Sequence, residues 1–185
     1  RQATVHPNTI GYKEEWAEAF AEYNIEKAKN LLDKIGLDKK TEEGWRIGED
    51  GKPVTIELLY SPGHAWSSAI ELVRDYWRDV GINVNMRAME TGALLSTTSS
   101  NQNPIFVWVL DRVYGPALMQ ADGSWLNPGF WFGPIGVEWS NWFSDPNTGE
   151  KPPEIIIEMH KKCQELQYVS KKKKKKSIQF IGDVY

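Results

Sequence analysis

The chain has 185 residues, a formal net charge of −3, 41% hydrophobic residues and nine tryptophans. That length suits one domain, or one large lobe of something bigger, and the acidic balance argues against a nucleic-acid scaffold. A single cysteine, Cys163, excludes an internal disulfide, and no apolar run approaches the roughly 20 residues of a membrane-spanning helix.

In chain order, residues 1–12 read as extended and turn-rich, a strap arriving from another lobe. The start at Arg1, without Met, reads as an internal fragment or a processed product, and no signal peptide is visible. Residues 13–35 read as helical. Trp16, Phe20 and Tyr23 recur at helical spacing. Asn24 is placed to cap a second helix with Ile25, Ala28, Leu31, Leu32 and Ile35 on one face and Gly36 at its end. Residues 37–53 are polar and rich in turn signals, a loop with a short ribbon around Trp45–Ile47.

Val54–Tyr60 is a strand by its β-branched content. A helix follows over about 65–80, with Ala69, Leu72, Val73, Tyr76, Trp77 and Val80 expected on its buried side and Gly81 at its end. Ile82–Met89 alternates apolar and polar and is a second strand. This β-α-β pattern implies parallel strands joined by a right-handed crossover. Residues 91–101 form a short helix or turn, and 105–110 a third parallel strand. The fold class is therefore α/β, a mixed sheet with a β-α-β core and flanking helices.

Beyond the third strand, Trp125, Phe130, Trp131, Phe132, Trp139, Trp142 and Phe143 are interleaved with Gly and Pro. A loop so dense in rings serves both as core and as a binding face, because aromatics dominate the energetics of both. A last helix is expected over 154–169, with Ile155, Ile156, Met159, Cys163, Leu166 and Tyr168 as its apolar positions. Lys171–Lys176 is a run of six lysines. Mutual repulsion makes it a poor helix; it reads as a solvated loop, with a basic patch for an anionic surface as the alternative. A third reading is that the lysine run is not genuine sequence; residues 170–177 are expected to be exposed, poorly ordered or of doubtful identity, and 178–185 to be a second strap.

The ordered series YNIEKAKNLLDKIGL, GWR, DGKP, VTIELLY, AIELVRDYWRDVGINV and GEKPPE resembles one family over about residues 20–168. It is the extracellular solute-binding proteins of ABC importers, family 5, the large-lobed group that carries oligopeptides, nickel and oligosaccharides. The resemblance implies that residues 1–185 are a single domain, most of one lobe of a type II periplasmic-binding-protein fold. The ligand would sit between this lobe and a second one, for delivery to a membrane permease. It also implies a periplasmic or extracellular location, with lipid anchoring through a segment preceding Arg1 as a further expectation.

In open α/β sheets, ligands bind beyond the carboxyl ends of the strands. Those ends are Tyr60–Trp66, Met89–Gly92 and Leu110–Pro116. In peptide-binding members of the family a Trp and an Asp shortly after the third strand grip the peptide's amino group, and Trp108 and Asp111 are the nearest matches here. Arg112 follows Asp111 at once, a departure that counts against a plain peptide reading. Tyr114, Trp66, Trp125, Trp131 and Trp139 complete the candidate ligand-binding set. Stacked aromatics with Asp, Asn and Arg nearby suit sugar rings as well, so peptide and sugar both stay open.

Other constellations are weaker. His160 and Cys163 have metal-like spacing but no second pair, and structural zinc usually needs four ligands. His64 reads as a turn or surface residue. Asp145–Gly149 reads as a plain turn, since it lacks the later bidentate Glu of a calcium loop. No Ser/His/Asp order and no phosphate-binding Gly-rich loop stands out. The expectation is a binding protein that is not an enzyme and takes no cofactor, no metal, no nucleic acid and no direct membrane insertion. The alternative is a carbohydrate-binding module attached to a secreted glycoside hydrolase, a class made mostly of β-sandwiches, which the β-α-β core disfavours.

Overall fold

Residues 2, 4–63, 66–102, 105–108, 127–129, 136–166 and 168–184 are described by the computed structural model. Their elements in chain order are α1 (Glu14–Glu18), α2 (Ile25–Lys34), β1 (Thr55–Tyr60), α3 (Ser67–Asp79), β2 (Asn83–Ala88), α4 (Thr91–Ser99), β3 (Phe106–Val107), α5 (Val137–Ser144), α6 (Glu154–Glu165) and α7 (Lys171–Val184). The chain divides into two compact units: unit 1, Arg1–Glu22, Ser99–Asn101 and Leu110–Tyr185; unit 2, Tyr23–Thr98 and Gln102–Val109.

Unit 2 is built on β1. It is the middle strand of a sheet ordered β2–β1–β3, parallel to both neighbours, with Leu58 opposite Met86 and Tyr60 opposite Val107. The expected α/β class and parallel β-α-β core are what the chain forms. Residues 109 and 110, expected in the third strand, lie outside the described residues. Side chains alternate along the strands. Ile56, Leu58 and Tyr60 point with Val84, Met86 and Val107 into one cluster, completed by Ile70, Trp77 and Val80 after the crossover and by Ile25, Ala28 and Leu32 of α2. The opposite face carries Thr55, Glu57, Asn85 and Arg87, all exposed, around fully buried Leu59.

The helix ends follow the expected signals. The Asn24 side chain accepts a hydrogen bond from the Lys27 amide at 2.8 Å, capping α2. Gly36 and Gly81 adopt φ of 89° and 93° after α2 and α3, the left-handed closure at which a Cβ is disfavoured. The loop 37–53 carries isolated antiparallel bridges Lys40–Arg46 and Ile47–Pro53, which are the expected ribbon.

The helix faces need correction. On α3, Ile70 and Val80 are buried and Trp77, expected to be core, is half-buried, whereas Ala69, Leu72, Val73 and Tyr76 are exposed. At 100° per residue the apolar positions of α3 span an arc of about 160°, and the sheet covers only the side near Ile70. Likewise Leu31 and Ile35 of α2 face solvent. The first helix stops at Glu18: Phe20 adopts φ 52° and is 87% exposed, and Tyr23 is exposed too. Capping α2 requires Asn24 to be extended (φ −146°), so one helix cannot run through it.

Unit 1 centres on Val5, Met159, Cys163, Leu166, Ile178 and Ile181. Three of its features depart from the sequence reading. VEWSNWFS within the aromatic stretch is helical (α5), a segment free of Gly and Pro that begins after Gly136 and stops before Asp145-Pro146. The helix expected over 154–169 is α6 and ends at Glu165, so Tyr168 lies beyond it and is exposed, and Ile155 in its first turn is exposed as well. The lysine run is helical: it forms the first turns of α7, because Ile178 and Ile181 anchor the helix in the core while the lysine heads stay in water. Residues 5, 9, 178 and 181 are buried in unit 1, so both termini contribute side chains to its interior.

The α3 assignment gives a direct test. Ile70→Ala should destabilise the protein by about 2–5 kcal/mol, and Leu72→Ala, at a position 54% exposed, by less than about 0.5 kcal/mol. Urea denaturation of both variants checks it, and equal costs would contradict the assigned face.

Candidate functional site

The carboxyl edge of the unit 2 sheet is assembled from three strand ends. After β1, Ser61 is buried and its hydroxyl lies 3.0 Å from that of Thr91, which opens α4. After β2, the Met89 amide donates to the Tyr60 carbonyl at 2.9 Å. The Glu90 carboxylate then accepts from the Gly92 and Ala93 amides, at 2.7 and 3.3 Å. A carboxylate suits that place, since the amides of a helix's first turn have no partner within the helix and carry partial positive charge.

Beside this edge an apolar groove of ≈ 640 Å³ runs between α3 and β3. Leu58, Ala69, Ile70, Val73 and Trp77 form its floor and one wall, and Ile105, Phe106 and Val107 the other. Trp66 and Trp108 stand at its carboxyl end. Trp66 immediately precedes α3 and is 84% exposed. Trp108 directly follows β3 and is half-buried. Among the described residues no charged side chain lines the groove. Such a surface can stack against apolar faces and exclude water; it offers no acid–base pair.

Of the expected site residues, Trp66 and Trp108 are thus brought together. Asp111, Arg112, Tyr114, Trp125 and Trp131 lie outside the described residues, as does His64. Trp139 belongs to unit 1, half-buried on α5 with its ring beside Gly136. Sequence reasoning missed Ser61, Glu90 and Thr91. The signal was available: a hydroxyl directly after a strand, and an acid directly before a helix.

In unit 1, His160 does not face a metal-ligand set. Its Nδ1 lies 2.7 Å from Asn127 Oδ1, and its ring stacks on Phe143 at 4.1 Å. Cys163 is buried in the core, and burial pushes its thiol up to about 12. Among the described residues no group of three or more His, Cys, Asp or Glu could hold a metal ion. Asp145–Gly149 is a turn in which Asp145 accepts from the Asn147 amide at 3.0 Å. Gly149 is confined there, since a Cβ would lie 2.1 Å from the Glu138 carbonyl oxygen. A second cleft, within unit 1, is bordered by Trp16, Phe20 and Asp183. Asp183 accepts from Lys13 at 2.6 Å and from the Trp16 indole at 2.9 Å. These bonds hold the Asp183 carboxyl below its ordinary range and the Lys13 ammonium above its own.

The family model for bacterial extracellular solute-binding proteins, family 5 (middle region), matches residues 1–130. The chain belongs to that family. Solved structures agree in fold. The oligopeptide-binding protein OppA is 22% identical with a TM-score of 0.83, and the match covers 100% of this chain and 31% of that one. The periplasmic binding protein MelB of Agrobacterium fabrum C58, solved in complex with stachyose, is 18% identical with a TM-score of 0.77, covering 100% of this chain and 27% of that one. A periplasmic oligopeptide-binding protein of Thermotoga maritima, solved with mannohexaose bound, is 16% identical with a TM-score of 0.66, covering 97% and 33%. This family 5 chain therefore spans about a third or less of the length of these relatives, consistent with one lobe. No curated protein sequence matches it, and among the described residues no helix is long and apolar enough to cross a membrane.

Two measurements check this part of the site. Cys163 should react with a thiol reagent such as DTNB only as fast as unit 1 opens, because only the thiolate attacks; prompt labelling of the native protein at pH 7 would contradict its placement. Asp183, with a depressed folded value, contributes stability that is present above its ordinary value near 4 and lost as pH falls through the folded one. The difference in urea midpoint between the parent and Asp183→Asn should therefore be full at pH 7 and shrink below about pH 4. A difference independent of pH would exclude the ion pair as its source.

Proposed function

We propose that this family 5 chain is part of the substrate-binding component of an ABC importer, and that residues 1–185 serve as one ligand-binding lobe. It captures an oligopeptide or oligosaccharide against a second lobe and delivers it to a membrane permease, in the periplasm or at the cell exterior. The observation that carries the reading is the pair Trp66 and Trp108, standing at the carboxyl end of one apolar groove beside the parallel sheet, where open α/β sheets take their ligands. A groove whose described lining holds no acid–base pair supports binding rather than catalysis. The alternative of a module on a glycoside hydrolase gains no support: such modules are mostly β-sandwiches, and this sheet is parallel with a helical crossover.

Asp111, Arg112 and Tyr114 follow Trp108 in the chain and are proposed as the polar partners of the same ligand, with Trp125, Trp131 and Trp139 as further platforms. The family's neighbours leave both ligand classes in play: one was solved with stachyose, one with mannohexaose, and others are called oligopeptide-binding proteins.

Burying most of an aromatic ring on a ligand is worth about 1–3 kcal/mol, so Trp66→Ala or Trp108→Ala should each weaken binding about tenfold to a hundredfold. Calorimetry on the full-length protein with short peptides and with cello-oligosaccharides measures this. Unchanged affinity in both variants, for a ligand the parent binds, would reject the groove as the site. Asp111→Asn separates the ligand classes. A buried carboxylate–ammonium pair to a peptide makes it cost about 2–5 kcal/mol, whereas an Asn still bonds sugar hydroxyls.

A further inference from the structure

The lysine run is an electrostatic liability that the fold retains. Lys171–Lys176 occupy the first turns of α7, with no acidic residue in that first turn. Each lysine has a neighbour of like charge three or four positions away, which destabilises a helix, and the run begins in the first turn, where the helix dipole already disfavours cations. Five of the six are exposed and Lys174 is half-buried. Among the described residues no carboxylate lies within ion-pair distance of any of them. The whole chain carries −3; without these six charges the remainder would carry −9, so the cation is concentrated at one spot on an acidic body. Three residues ahead of the run, Tyr168 is 86% exposed, an aromatic with an apolar body and a polar tip.

We propose that Tyr168 and Lys171–Lys176 form a docking patch for an anionic lipid surface. Successive lysines turn by 100° around the helix, so the ammoniums crowd one helix end as a compact cationic cap rather than lying in file along a strand. A plane of headgroup phosphates meets such a cap without requiring a fixed pattern. Each lysine brought near an anionic membrane adds to the attraction, and Tyr168 suits the headgroup level, where amphipathic rings collect. A nucleic acid is the weaker fit, since the patch has no arginine fork and a single ring, Tyr168, for stacking.

The test is co-sedimentation of the full-length protein with vesicles of 7:3 phosphatidylcholine:phosphatidylglycerol and of phosphatidylcholine alone. Binding is expected to the anionic vesicles only, and to fall at least tenfold on raising NaCl from 0.1 to 0.5 M. It should also fall at least tenfold in the combined Lys171→Gln, Lys172→Gln, Lys173→Gln variant, and several-fold in Tyr168→Ala, with circular dichroism unchanged. A separate Lys175→Gln, Lys176→Gln variant guards against misfolding of the first. Equal binding by parent and lysine variants overturns the proposal, as does absence of binding to the anionic vesicles. Tighter binding to single-stranded RNA than to the vesicles, or an intact mass that lacks six lysines, also overturns it.

Discussion

Unit 2 depends on one buried cation. Arg46 is 1% exposed. Its Nε donates to the Val80 carbonyl at 2.6 Å and its Nη1 to Asp33 at 2.5 Å, with the Leu37 and Lys29 carbonyls taking further bonds. Its backbone is engaged as well: the Arg46 amide donates to Gly81 at 2.8 Å, and the Val54 amide donates to the Arg46 carbonyl at 2.7 Å. Burying a guanidinium costs several kcal/mol unless its donors are satisfied; here the planar fork finds acceptors in α2 with its end and in the turn after α3, and the Arg46 carbonyl adds the approach to β1. The end of α2, the turn after α3 and the approach to β1 are thereby tied together at the amino end of the sheet. A side chain at position 81 would press on this knot, since a Cβ there would lie 3.0 Å from Arg46 Cγ.

That placement has a functional consequence. With the amino end of the sheet closed by Arg46 and the loop 37–53, the opposite end is where the strands deliver Ser61, Glu90, Trp66 and Trp108. The hydroxyl pair of Ser61 and Thr91 and the carboxylate of Glu90 lock the first turn of α4 to the strand ends. Trp66 and Trp108 line the groove beside these strand ends; for the stacking proposed above, the gain is offset by whatever entropy is lost in ordering the two indoles.

Much of the fold was legible from local chemistry. The strands were readable because their β-branched content and alternation act over six residues, and the helix ends because Asn24, Gly36 and Gly81 act over one turn. What local pattern could not supply was which part of a broad apolar arc wins contact. On α3 the arc from Leu72 to Ile70 reads as one face, and packing against the sheet, a tertiary term, decides that among the described residues Ile70 is covered while Leu72 and Tyr76 are exposed. The same holds for the lysine run: repulsion within 171–176 is a local term, and burial of Ile178 and Ile181 within unit 1 is a tertiary one that outweighs it. In the candidate site, Trp66 was reached by its position after a strand end, and Trp108, expected inside the third strand, by the family resemblance. Ser61, Glu90 and Thr91 were passed over because single polar residues carry no periodicity.

If the function proposed above holds, ligand rests on the carboxyl end of this sheet, against Trp66 and Trp108. The decisive experiment is a crystal structure of the full-length protein with the ligand that calorimetry identifies. Ligand atoms are expected in van der Waals contact with both indole rings, just beyond Tyr60 and Met89. Ligand bound elsewhere, with Trp66 and Trp108 in solvent or covered by another part of the protein, would refute this placement.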